Sequence, residues 1–123
     1  LQALAEKVVT DPDRLTLGEL LQVAVLYRPG TEQYREVYEL AAYRFPGSRE
    51  AVLNAGAASL ALGDKEAATY FLQQVADDPR SWNNLGVLAL MENDPSEAVS
   101  WFRKAMPQNP RLSRHNIRIA QGY

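Results

Sequence analysis

Part of this chain repeats, and that constrains it more than any other feature. Asn54, Gly56, Asp64 and Ala68 recur without a gap as Asn84, Gly86, Asp94 and Ala98, an offset of 30 residues. Leu72 then falls on Phe102, and Val75 on Ala105. A looser alignment at an offset of 34 places Gly30 on Asp64, Tyr34 on Ala68, Tyr38 on Leu72 and Ala41 on Val75. Periods of this length mark supersecondary units that cannot bury an apolar face alone and must stack.

Each unit reads as two short helices around a turn. Leu53, Ala57, Leu60 and Ala61 recur at helical spacing in one unit, and Leu85, Leu88 and Ala89 in the next. Turn signals stand between the helices: Pro29-Gly30, Pro46-Gly47, Gly63-Asp64, Asp94-Pro95 and Asn109-Pro110. Asp94-Pro95-Ser96-Glu97 is a helix start with a cap, a proline at the first helical position and a glutamate at the capping-box position. Thr16 and Glu19 form a second capping box, with Leu15 and Leu20 at the spacing of a hydrophobic staple. These signals predict helices near 1–10, 16–27, 32–44, 48–62, 65–76, 80–92, 95–106 and 111–120. The fold class is therefore all-α. Short connections make sequential helices antiparallel neighbours. Leu1, Leu4, Ala5 and Val8 give the first helix one apolar stripe, so it is expected to dock on the rest.

Composition narrows the function. The 123 residues suit one domain, expected over 1–123, and suffice for a real core. A net charge of −2 supplies no overall field toward nucleic acid or an anionic membrane. No apolar run is long enough to span a bilayer. Without cysteine there is no disulfide or thiolate chemistry, and the compartment stays open between cytoplasm and periplasm. The chain begins at Leu1 with no signal core, so it is expected to be part of a longer protein.

The third unit resembles the tetratricopeptide family. Trp82, Leu85, Gly86, Ala89, Ala98, Phe102, Ala105 and Pro110 stand at the spacing that family uses. Gly86 and Ala98 would lie where the two helices of a repeat cross closely. The second unit departs from the pattern: Val52 replaces the aromatic, Leu72 replaces the phenylalanine, and its final loop is four residues short. The first has Gly18 at the place of Trp82. The resemblance implies a right-handed α/α superhelix of about three hairpins, over 15–48, 49–78 and 79–112, with flanking helices at 1–10 and 111–120. A narrower likeness lies in Leu15-Thr16-Leu17-Gly18-Glu19-Leu20, Arg44-Phe45-Pro46, Leu53-Asn54-Ala55 and Gly63-Asp64. These strings resemble the C-terminal repeat region of Bacteroides-type cell-envelope proteins with an outer-membrane-protein-A-like domain. That likeness implies a periplasmic location.

In this family the first helix of each pair lines a concave groove. By that resemblance the lining would be Glu19, Val23, Leu26 and Tyr27 in the first unit. Glu50, Leu53, Ala57, Leu60 and Ala61 would follow, then Arg80, Asn83, Val87, Leu90 and Met91. Such a strip is mostly apolar with polar edges and suits a helix or extended peptide. The partner implied is a protein or peptide, or a second copy of the chain acting as a spacer or dimer, or the strip is covered by neighbouring helices. The family's basic clamp for a terminal carboxylate is not matched. Its positions hold Glu19, Leu53, Asn83, Val23, Ala57 and Val87.

Other candidates have plain structural accounts. Arg111, Arg114, His115 and Arg118 share a helix face and could meet an acidic or phosphate group. A solvated face on a capping helix is the first account of them, and basic residues near a helix C-terminus suit its dipole. Tyr27, Tyr34, Tyr38 and Tyr43 read first as core packing and second as a partner hot spot. His115 is the only histidine, so no multi-histidine metal site can form, and a Ser–His–Asp arrangement would have to use this residue of a basic helix expected to be exposed. Asp77-Asp78 before Pro79 read as turn and capping residues. No phosphate loop is present. The expectation is a non-catalytic chain without cofactor or metal. An accessory domain of an enzyme whose catalytic part lies elsewhere is the remaining alternative.

Overall fold

The computed structural model describes residues 2–122. Leu1, expected on the apolar stripe of the first helix, lies outside them. Among the described residues the chain is all-helical, with eight α-helices and no strand. They are α1 (Gln2–Thr10), α2 (Leu17–Ala24), α3 (Glu32–Arg44), α4 (Arg49–Ala61), α5 (Lys65–Gln74), α6 (Trp82–Met91), α7 (Pro95–Ala105) and α8 (Pro110–Ala120). Short 3₁₀ turns stand at Pro12–Arg14 and Pro79–Ser81.

Six helix starts are capped, and Thr16 and Asp94 among them are the caps the sequence predicts. Thr16, Thr31, Ser48, Asp64, Asp94 and Asn109 each accept a hydrogen bond from the backbone N–H three residues on. Thr16 and Glu19 complete their reciprocal box, the Thr16 N–H donating to Glu19 Oε1 at 3.0 Å. At Asp94 only the forward bond is made, from the Glu97 N–H. The ends are shorter than periodicity predicts. α2 stops at Ala24, because Val25, Leu26 and Tyr27 donate to the carbonyls three residues back, as in a tight 3₁₀ turn. Val75 and Ala76 do the same after α5. α6 begins at Trp82, two residues after the predicted start, because Pro79–Ser81 form a separate turn capped by Asp78.

The repeat is visible in how α4 and α6 end. Gly63 has φ +76° and Asn93 φ +61°, both left-handed and 30 residues apart. The next N–H in each, from Asp64 and Asp94, donates to the carbonyl five residues back, at Ser59 and Ala89. This closes the C-terminal carbonyls in a Schellman motif. The same two aspartates then cap α5 and α7. One residue thus ends a helix and starts the next, which forces each pair into a hairpin.

Consecutive helices pack on one another, and α4 also touches α6 while α6 touches α8. Gly56 and Gly86 set the hairpin crossings. A Cβ on Gly86 would lie under 3.0 Å from three carbons of the buried Phe102 ring. One on Gly56 would lie 2.7 Å from Leu72 Cδ2. The core runs in three contiguous clusters. The first joins α2, α3, α4 and α5 through residues such as Leu20, Val23, Ala41, Val52 and Phe71, and α1 adds Leu4, Ala5 and Val8. The second joins Leu72 of α5 to Leu85 and Leu88 of α6. The third holds Ala89, Ala98 and Phe102, with Ile117 and Ala120 of α8 against it. Arg44 anchors the N-terminal turn, its guanidinium donating to the carbonyls of Pro12 and Asp13 (each 2.7 Å) and of Leu15.

Candidate functional site

The strip predicted as a groove does not survive whole. Val23 is fully buried in the first core cluster and Leu53 is only 7% exposed. Val23 points inward because α2 is packed on its neighbours, so it is corrected from a lining residue to a core residue, while Leu53 keeps only a small exposed edge. Tyr27 packs half-buried against the same cluster, Leu60 against the second, and Val87 and Leu90 against the third. Met91 is half-buried, Leu26 is exposed just past the end of α2, and Ala61 is exposed as the last residue of α4. Glu19 is engaged in its capping box, and its carboxyl is held below the usual range first by the Thr16 backbone N–H. Asn83 is tied to the last helix: Ser113 Oγ donates to Asn83 Oδ1 at 3.3 Å, and Ser113 is fully buried.

The structure does bring four of the predicted residues together. Glu50, Leu53 and Ala57 of α4 face Arg80 across a concavity of about 140 Å³, joined by Asn54 and Asn84. Leu53 and Ala57 form the apolar floor. Glu50, Arg80 and the two amides form the rim. Asn54 and Asn84 were legible as repeat markers but not as site residues. Their equivalence across the 30-residue offset was the available signal, since equivalent positions on α4 and α6 come to lie side by side.

The rim is held by ion pairs in the turn between α5 and α6. Asp78 accepts from Arg80 N–H, Nε and Nη2, at 3.0, 3.1 and 2.8 Å. The Arg80 guanidinium is the main reason the Asp78 carboxyl drops to about 2, followed by the Arg80 backbone N–H. Arg49 grips Asp77 with two parallel bonds, at 3.1 and 2.8 Å, and reaches Asp78 at 3.7 Å. This bidentate geometry is the strongest form of such a pair. The adjacent aspartates are thus turn and capping residues, as their sequence context predicts. Ser81 Oγ donates to the Val75 and Asp78 carbonyls, each at 2.8 Å, and closes the turn from inside.

Chemically, the concavity offers donors and acceptors at fixed spacing over a small apolar floor. Its volume is below the roughly 300 Å³ of an ordinary small-molecule site. Each asparagine presents one acceptor and two donors, the complement of a peptide bond.

The tyrosines divide. Tyr38 packs on the core with its ring 4.9 Å from that of Tyr34, and burial pushes its hydroxyl up to about 12. Tyr43 is 60% exposed and stands 6.1 Å from Tyr70 and 5.5 Å from Phe71. Trp82 is half-buried and donates from Nε1 to the Ala76 carbonyl at 2.9 Å. Lys104 lies over its ring at 4.6 Å and over that of Trp101 at 5.3 Å. Among the described residues no group of three or more His, Cys, Asp and Glu is placed to hold a metal ion. None of their helices is long and apolar enough to cross a membrane. Compared with protein-family models and with curated proteins, the chain matches none.

Proposed function

We propose that this chain is a non-catalytic, tetratricopeptide-like scaffold that binds an extended segment of a partner protein across the face shared by α4 and α6. One observation carries the reading. Repeat-equivalent Asn54 and Asn84 stand on adjacent helices over the Leu53–Ala57 floor, flanked by one carboxylate and one guanidinium. Amides spaced on neighbouring helices can hydrogen-bond successive backbone groups of an extended peptide, while the floor takes one apolar side chain. The hairpins, the close crossings at Gly56 and Gly86 and the side-by-side placement of α4, α6 and α8 support a right-handed superhelix with this face concave. By the sequence resemblance it belongs to a larger cell-envelope protein in the periplasm.

The test is affinity selection from a displayed library of linear peptides, followed by titration of the selected peptides. The parent should retain peptides sharing an apolar residue at one fixed position. Asn54→Ala/Asn84→Ala should weaken them by about tenfold or more, roughly the loss of two hydrogen bonds. Circular dichroism should be unchanged, since both side chains lie at the rim. Peptides that bind this double variant as tightly as the parent would sink the assignment.

A further inference from the structure

Charge is not spread evenly along this chain. Residues 1–97 hold eight basic and fifteen acidic side chains, a net of −7. Residues 98–123 hold five basic and no acidic ones, a net of +5, and together these give the −2 of the whole. Much of the positive charge lies on α8. Arg111, Arg114, His115 and Arg118 line, with Ile119, a shallow concavity of about 470 Å³.

Three observations set this face apart from a solvated cap. First, the arginines elsewhere are largely satisfied at home. Arg14, Arg35, Arg49 and Arg80 each pair with a carboxylate, and Arg44 holds three carbonyls. No carboxylate pairs with the three arginines or His115 of α8 among the described residues. Second, their placement works against the helix. α8 starts at Pro110, so Arg111 sits in its first turn and only Arg118 in its last, and the positive end of the dipole meets a positive charge. Cations at three- and four-residue spacing repel one another as well. Third, the face is not uniformly polar, as a merely solvated helix face ordinarily is. Ser113 and the half-buried Ile117 face inward, while Leu112 is 42% and Ile119 50% exposed. At 100° per residue these two lie beside His115 and Arg111, forming an apolar edge along the basic stripe.

We propose that the outer face of α8 is a second docking surface, and that its occupant is an acidic amphipathic helix of a partner protein. Carboxylates at three- and four-residue spacing would meet the arginines, and a leucine-type edge would cover Leu112 and Ile119. The apolar edge favours a protein over nucleic acid. The net −7 of the rest of the chain also opposes a long polyanion lying across the molecule.

The experiment is fluorescence anisotropy of the intact chain with a labelled synthetic helix, carrying glutamates at three- and four-residue spacing beside one row of leucines. The expected result is saturable binding that weakens severalfold between about 50 and about 200 mM salt. Arg114→Glu/Arg118→Glu and Leu112→Ser/Ile119→Ser should each weaken it tenfold or more. Arg114→Gln/Arg118→Gln serves if the charge reversal disturbs helicity. Asn54→Ala/Asn84→Ala should leave it unchanged, which separates this surface from the α4–α6 face. Equal binding of a sequence-scrambled peptide, of duplex DNA of the same charge or of anionic vesicles would overturn the proposal. So would insensitivity to the leucine and isoleucine substitutions.

Discussion

At the scale of single residues, steric contact decides what propensity alone would get wrong. Replacing a helical glycine by alanine ordinarily stabilises by about 0.5–1 kcal/mol, by restricting the unfolded chain. At Gly18 the new Cβ meets nothing nearer than Thr16 Oγ1 at 4.0 Å, so Gly18→Ala should show that gain in urea unfolding. At Gly86 the same change drives a methyl into the Phe102 ring, and Gly86→Ala should instead lose about 1–3 kcal/mol. Adding Phe102→Leu should recover part of that loss. Two substitutions of the same sign would show that the α6–α7 crossing is looser than described. Asp78 gives a residue-scale prediction in pH. Its folded carboxyl titrates at about 2, below the 3.8 of an ordinary aspartate. Stabilisation from it is therefore complete above about pH 4 and is lost as pH falls toward 2. Asp78→Asn should flatten the acid limb of stability over that window, and an unchanged slope would remove Asp78 from the account.

Among the elements, starts were more legible than ends. Capping residues announce a helix by a local side-chain bond, so Thr16 and Asp94 were readable as caps, and Gly63-Asp64 was readable as a turn. The ends of α2 and α5 were not, because apolar periodicity continues through Val25–Tyr27 and Val75–Ala76 while the backbone tightens to three-residue bonds. The groove strip failed at Val23 for a related reason. Periodicity names a face but not whether another helix covers it. The Arg44 anchor was invisible for a third reason, since its partners are backbone carbonyls some 30 residues away. It makes the most specific prediction at this scale. Arg44→Ala should cost about 1–3 kcal/mol in charged hydrogen bonds. Amide exchange should speed up over residues 2–15 while the amides of α4 to α7 keep their protection. Uniform acceleration along the chain would mean that α1 and its turn fold as one unit with the rest.

On the scale of the whole molecule, a repeated hairpin places equivalent positions in a row. Asn54 and Asn84 meet for that reason, and Ser113 of α8 reaches Asn83 of α6 by the same stacking. The all-helical class and the hairpins were legible in the 30-residue offset. The site was legible only in part, because burial divides a repeat-equivalent row into core and surface. Charge is arranged on the same scale, with an acidic stretch over 1–97 and a basic one over 98–123, so the two proposed faces differ in charge. The central claim is that an extended peptide lies across α4 and α6. The direct measurement is a nuclear magnetic resonance titration of the labelled chain with a selected peptide, following the side-chain amide signals of the asparagines. The account predicts that Asn54 and Asn84 shift and saturate together, with the Ala57 and Arg80 backbone amides moving alongside them. Shifts confined to α3, α5 and α7, with both asparagine signals unmoved, would contradict it.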